Sequence, residues 1–169
     1  MTNAPTPAQP GSQQRGRERR RVILDTAAEL FGEGGFNRVS LADIAGAVGI
    51  TQAGLLHHFP TKAALLLAVL QEREASNMEA VDQSRAEGVD PLTSYFRTLE
   101  SNDQNPGLVQ LFVLLSAEAI VEEHPGHDWF VARGQRLFER VVGYVEEVID
   151  VERLPAGLDA PTIARWIMA

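Results

Sequence analysis

Between Ser40 and Pro60 the sequence is punctuated so closely that only two very short helices fit. Ser40-Leu41-Ala42-Asp43 has the form of a capping box with Asp in place of the usual Glu, so a helix opens at Leu41. Leu41, Ile44, Ala45 and Val48 make its inner face, and Gly49 suits the left-handed residue that ends it. Ile50 is the apolar residue of the turn. Thr51 caps a second helix, from Gln52 to about Phe59, which Pro60 stops. The turn sets the pair at a steep angle, Ile44, Ala45, Val48, Ile50 and Leu55 lock it, and the first turn of the second helix protrudes.

The rest of the chain continues in the helical period. Residues 1–14, with Pro5, Pro7 and Pro10, read as a flexible arm. A helix is expected from about Arg17 to Phe31, with Ile23, Ala27, Leu30 and Phe31 on one face and Gly32, Gly34 and Gly35 at its end. Phe36 and Val39 are loop residues that dip back into the core. Thr61 caps a helix carrying Leu65, Leu66, Val69 and Leu70, while Asp90-Pro91 and Asn105-Pro106 are cap-then-proline starts. From Leu108 to Val121 the helix is apolar on nearly every side, which predicts burial. His124-Pro125-Gly126 breaks it. The longest amphipathic stretch, Trp129 to about Val151, has two apolar stripes, one for its own subunit and one for a partner helix. After a turn at 154–157 a last helix begins near Pro161 and is still apolar in pattern at Ala169. No strand-like alternation and no repeat is present, so the fold class is all-α.

The chain has 169 residues, 44% of them hydrophobic, enough for one medium or two small domains. It has no cysteine, which excludes a disulfide framework, a thiolate metal site and a thiol nucleophile. No apolar run approaches the length that spans a bilayer, and Met1 to Gln14 lacks the apolar core of a secretory signal, so a cytoplasmic protein with no membrane partner is expected. The net charge of −8 is divided unevenly. Residues 1–63 hold seven Lys/Arg against five Asp/Glu, and the remainder eight against eighteen. A polyanion would therefore meet the first third of the chain, where Arg15, Arg17, Arg19, Arg20 and Arg21 cluster.

The Ser40–Phe59 pattern is a helix-turn-helix, whose second helix enters the major groove of DNA. Around it the sequence resembles the tetracycline-repressor (TetR) family of transcriptional regulators. The resemblance runs through Val22-Ile23-Leu24-Asp25-Thr26-Ala27-Ala28-Glu29-Leu30-Phe31, Gly35-Phe36 and Val39-Ser40-Leu41-Ala42-Asp43-Ile44-Ala45. It continues through Val48-Gly49-Ile50-Thr51, His57-His58-Phe59-Pro60-Thr61-Lys62 and Leu65-Leu66. The resemblance implies a DNA-binding domain over 15–63 and a helical effector-binding and dimerisation domain over 64–169, the chain stopping within its last dimer helix.

By that resemblance Ser40, Thr51, Gln52, Ala53, Gly54, His57, His58 and Lys62 sit where the family contacts DNA. Hydroxyls and freed helix amides suit phosphate oxygens; Gln52 can pair with adenine and Ala53 can approach a thymine methyl. Lys62 is the only lysine beside fourteen arginines, and it falls where the family has a phosphate-binding lysine. Arg17 and Arg20, in the basic cluster, can rest on phosphate or enter the minor groove. The family commonly has Gly at the position of Ala53 and Tyr at that of Leu56.

An effector pocket is implied on the middle helices, with Phe96, Leu99, Leu108, Phe112, Leu115, Trp129 and Phe130 as apolar candidates and Glu118 and Arg133 as polar anchors. His124 and His127, with Glu122, Glu123 and Asp128 nearby, lack the geometry of a metal site, so no metal, cofactor or catalytic residue is expected. The expected function is a homodimeric repressor that leaves a palindromic double-stranded DNA operator when a small-molecule effector binds. The alternative is a helical ligand-sensing or protein-interaction module with degraded DNA binding.

Overall fold

The computed structural model describes residues 10–101 and 106–169. Its helices are α1 (Pro10–Arg38), α2 (Leu41–Val48), α3 (Gln52–His58), α4 (Lys62–Ala86), α5 (Pro91–Ser101), α6 (Pro106–Glu118), α7 (His127–Val148) and α8 (Ala160–Met168), with a 3-10 turn at Val151–Arg153. Every element among the described residues is helical. The first nine residues of the expected arm, and the expected cap Asn105, lie outside the described residues.

Four hydroxyl or carboxylate caps fall where the sequence places them. Ser40, Thr51, Thr61 and Asp90 accept the amides of Asp43, Gly54, Ala64 and Thr93 respectively. Asp159 adds a fifth, accepting from Thr162 at the start of α8. Gly49 is left-handed (φ 74°) and its N–H bonds back to Ala45 and Gly46, as a helix stop should.

The first helix differs from its expected span of 17–31. It begins at Pro10, because the segment that follows is rich in Arg and Gln, both good helix formers, with proline tolerated in the first turn. At the other end it runs through Gly32 and Gly34, breaks at Gly35 (φ 75°, ψ 169°) and resumes for one turn to Arg38. Gly32 therefore does not terminate the helix. A Cβ there would meet the Gly107 carbonyl at 3.4 Å and Leu111 at 3.5 Å, ordinary contact distances, so Gly32 lies where α6 packs on α1 and the packing does not require a glycine.

Two cores result. The first joins Ile23, Ala27 and Phe31 of α1, Ile44 of α2, Leu55 of α3 and Leu65, Leu66 and Leu70 of α4 to Leu111 and Leu115 of α6. The second joins Val81 of α4, Tyr95 of α5, Val141, Tyr144 and Val145 of α7, and Ala160 and Ala164 of α8. The boundary expected at residues 63–64 thus lies within α4, and the core around the helix-turn-helix extends past it into α6.

The expected burial of the whole 108–121 segment is corrected. Leu111 and Leu115 are buried, but Val113 and Ile120 are 63% and 78% exposed, and Val109 and Val121 are exposed as well. The helix packs on α1 through Leu111 and Leu115 and meets the start of α7 through Phe112, and among the described residues nothing buries Val109, Val113, Ile120 or Val121. On α7 the buried residues are Val145, from the stripe Phe130, Phe138, Val142, Val145 and Ile149, and Val141 and Tyr144, from the stripe Leu137, Val141, Tyr144 and Val148, while Val148 itself is exposed. No single helix among the described residues is long and apolar enough to cross a membrane.

Candidate nucleic-acid interface

The second short helix is held by few contacts and presents most of its side chains. Leu55 is fully buried, Ile50 packs against the same core, and Phe59 closes the end. Thr51, Gln52, Ala53 and His57 are exposed, Gly54 and His58 half-buried. Thr51 Oγ1 accepts the Gly54 N–H at 3.1 Å, which leaves its own O–H as a donor for phosphate. The amides of Gln52 and Ala53 open the helix and lie outside its own bonding ladder. Gln52 thus carries the free amide head group on this first turn that can read a base edge. His57 and His58 meet edge to face with ring centroids 5.8 Å apart.

Ser40 is differently placed. Its hydroxyl accepts from the Asp43 amide and donates to Asp43 Oδ2 at 2.6 Å, while its own N–H donates to the same carboxylate oxygen at 2.9 Å. These bonds hold the Asp43 carboxyl below the usual carboxylate range. A phosphate contact from Ser40 would have to displace a charged acceptor, so its hydroxyl is spent on the cap.

Lys62 opens α4 with its ammonium 4.3 Å from the Phe36 ring centroid. Partial burial lowers its pKa from the ordinary value, against the opposing pull of Glu118 and Asp43. Arg20 lies over Phe59, 5.1 Å from the ring centroid, so the basic stretch of α1 is packed against the end of α3. Arg17 is exposed on the same helix. The candidate interface is therefore the exposed first turn of α3 flanked by the start of α4 and the basic segment of α1.

The effector candidates separate. Leu108, Phe112 and Arg133 line a cavity of about 160 Å³ together with Asn77, Val109 and Val113. Trp129 stacks on Phe112 at 6.2 Å, and Phe130 meets both rings edge-on. Phe96 and Leu99 are 44% and 43% exposed and do not line it, and Leu115 is fully buried in the first core. Glu118 does not point into the cavity; its carboxylate accepts the Phe36 N–H at 2.7 Å, at the break in α1. Asn77, and Ser76, Thr98 and Ser101 of an adjoining cavity of about 200 Å³, were not among the candidates. Polar residues on an amphipathic helix read as its solvent face, so periodicity gives no sign of them.

Among the described residues no three His, Asp or Glu side chains converge to hold a metal. His127 Nδ1 donates to the Ala119 carbonyl at 2.8 Å, and His124 is buried with its Nδ1 accepting from Gly126.

Residues 23–69 match the family model described as bacterial regulatory proteins, tetR family. A curated relative, the nucleoid occlusion factor SlmA of Vibrio cholerae, is 28% identical over 85% of this chain and 72% of its own length. A TetR-family transcriptional regulator from Streptomyces coelicolor superposes with a TM-score of 0.76 at 24% identity, covering 90% of this chain and 79% of that one, which bears on the fold. A protein solved to explain control of antibiotic production by bacterial hormones gives a TM-score of 0.66 at 27% identity, over 89% of this chain and 79% of that one.

Proposed function

Through its residues 23–69 the chain belongs to the tetR family of bacterial regulatory proteins, and from that premise we propose that it is a repressor whose homodimer holds a palindromic operator until a small molecule releases it. The observation that carries the reading is the geometry of α3: a capped helix of two turns, anchored by Leu55, with Thr51, Gln52, Ala53 and His57 facing solvent beside Lys62 and Arg20. In a dimer two such helices reach successive major grooves on one face of the duplex. Trp166 and Met168 on α8 and Val148 on α7 are exposed apolar side chains suited to a partner's helices. Release follows if the effector binds better to an arrangement whose α3 spacing no longer fits the operator. The first core supports that coupling, because α6 forms one wall of the cavity and also packs on α1.

The test is fluorescence anisotropy on the duplex upstream of the chain's own gene, with a scrambled duplex alongside, over a range of salt. Selective binding that weakens steeply with salt is the expected result. Equal binding to both duplexes at every salt would favour the module with degraded DNA binding.

A second reading comes from the relatives named nucleoid occlusion factor. The same headpiece would then serve nucleoid occlusion and not one promoter. Mapping the bound sites on the chromosome separates the two, a handful next to promoters supporting repression and many dispersed sites supporting occlusion.

A further inference from the structure

Arg133 on α7 is a half-buried cation with an unmet donor. Its Nε is buried without a hydrogen-bond partner. Its guanidinium lies 4.9 Å from the Phe112 ring centroid and 5.9 Å from that of Trp129. The facing carboxylate, Glu74, stands 4.0 Å from Nε, beyond hydrogen-bond reach, and is instead bonded by Arg136 at 3.0 Å. Two guanidinium groups therefore share one carboxylate, and the surplus positive charge borders the cavity of about 160 Å³ walled by Phe112, Val109 and Val113. Asn77 and Leu108 also line the adjoining cavity of about 200 Å³, which is edged by the hydroxyls of Ser76, Thr98 and Ser101. Burial lowers the Arg133 pKa from its ordinary value, a sign that its charge is incompletely solvated.

We propose that the effector is an organic monoanion, a carboxylate carried on a single ring or a short acyl chain, with its carboxylate on Arg133 and its apolar part against Phe112, Val109 and Val113. This rests on the effector-released reading above and names its ligand class. A neutral ligand would fill the apolar walls but leave the surplus positive charge of Arg133 unbalanced, the costlier outcome in a half-desolvated site. A carboxylate can take two terminal N–H groups of the guanidinium side by side where Arg133 lines the cavity. A dianion such as a phosphate monoester is disfavoured, because Glu74 beside Arg133 leaves roughly one positive charge to balance.

The experiment uses the full chain with both tryptophans in place: Trp129, stacked on Phe112 beside the cavity, reports binding by its emission, and Trp166 on α8 gives a constant background. Phenylacetate and octanoate are titrated against phenylacetamide and octanamide, with emission and operator anisotropy read together. The acids are expected to bind saturably, and the amides at least about tenfold more weakly. Glu74→Gln should tighten the acids by removing the competing charge, a gain that a purely structural role for the cluster would not produce. Arg133→Met should abolish acid binding, and Arg133→Lys should lose less. If Arg133→Met fails to fold, the acid–amide pairs and Glu74→Gln carry the test without touching Arg133. Amides that bind as tightly as acids and also release DNA overturn the anion assignment while leaving the effector reading in place. Binding by neither acids nor amides, with operator binding intact, overturns the anion assignment and removes this cavity from the effector reading too.

Discussion

Glu118, near the end of α6, accepts a 2.7 Å hydrogen bond from the amide of Phe36, 82 residues earlier in the chain. The bond sits where α1 is broken, since Gly35 adopts φ 75° and a Cβ on it would stand 2.6 Å from Glu118 Oε1. The absent side chain at residue 35 thus serves both the backbone angle and the approach of the carboxylate. Asn37 adds a longer contact to the other oxygen at 3.4 Å. Replacing Glu118 by Ala leaves a partly buried N–H without its acceptor and should cost about 1–3 kcal/mol in urea denaturation.

Gly35→Ala should be destabilising for two separable reasons, the left-handed backbone angle and the collision with Glu118. Only the first survives when Glu118 is already Ala. The double variant is therefore expected to lose less than the sum of the two single losses, and a double-mutant cycle measures the difference. Strict additivity would mean that the carboxylate swings aside freely and that the contact does not position the two helices.

The sequence makes the caps legible because a cap is a local event: Ser40, Thr51, Thr61 and Asp90 each act on an amide three residues on. Leu55 and Ile44 are legible for a similar reason, since helical spacing sets which face turns inward. Glu118 is not. As an acid inside an apolar run it marks something unusual, but only the fold brings it to Phe36. Gly32 misleads by the same logic, because a glycine looks the same in sequence whether it ends a helix or lies inside one, and the break falls three residues later at Gly35. The exposed face of α6 was hidden by composition, as an apolar helix predicts burial only where a second layer exists to provide it.

Lys62 is held against Phe36 and feels both Asp43 and Glu118 before any DNA is present. It makes no base-specific claim, being a single charge at a helix start. Lys62→Ala should weaken binding to operator and scrambled duplex alike and reduce the slope of log affinity against log salt by about one. An unchanged slope would remove it from the phosphate contacts.

Gln52 should behave in the opposite way. Its exposed amide on the first turn of α3 can form a paired contact with adenine. Gln52→Ala is expected to cost about 1–3 kcal/mol on the operator, relax preference at one base position and leave the salt slope alone. Thr51→Ala gives the contrast, since it removes the cap of α3 and should lower stability by about 0.5–2 kcal/mol together with affinity on any sequence.

His124 makes folding stability depend on pH in a window of its own. Its Nδ1 accepts the Gly126 N–H at 3.1 Å, so the ring proton resides on Nε2, which is buried 3.9 Å from Glu118 Oε2. The Phe36 ring meets it edge-on at 5.1 Å, and Lys62 approaches the same carboxylate. Taking up a second proton would sacrifice the Gly126 bond and bury a charge. Burial accordingly holds the folded-state pKa below the ordinary 6.5, with Glu118 pulling the other way. The unfolded chain then binds more protons between the two pKa values, so stability falls as pH drops through 6.5 and levels off below the folded value. The capping carboxyls Asp43, Asp90 and Asp159 are lowered from 3.8, and their contribution is lost only at more acid pH. His124→Asn keeps an acceptor for Gly126 but cannot titrate. Urea midpoints followed downward from neutral pH should decline for the native chain and stay level for His124→Asn until the carboxyl window is reached. Equal declines in the two proteins would assign the loss to other groups.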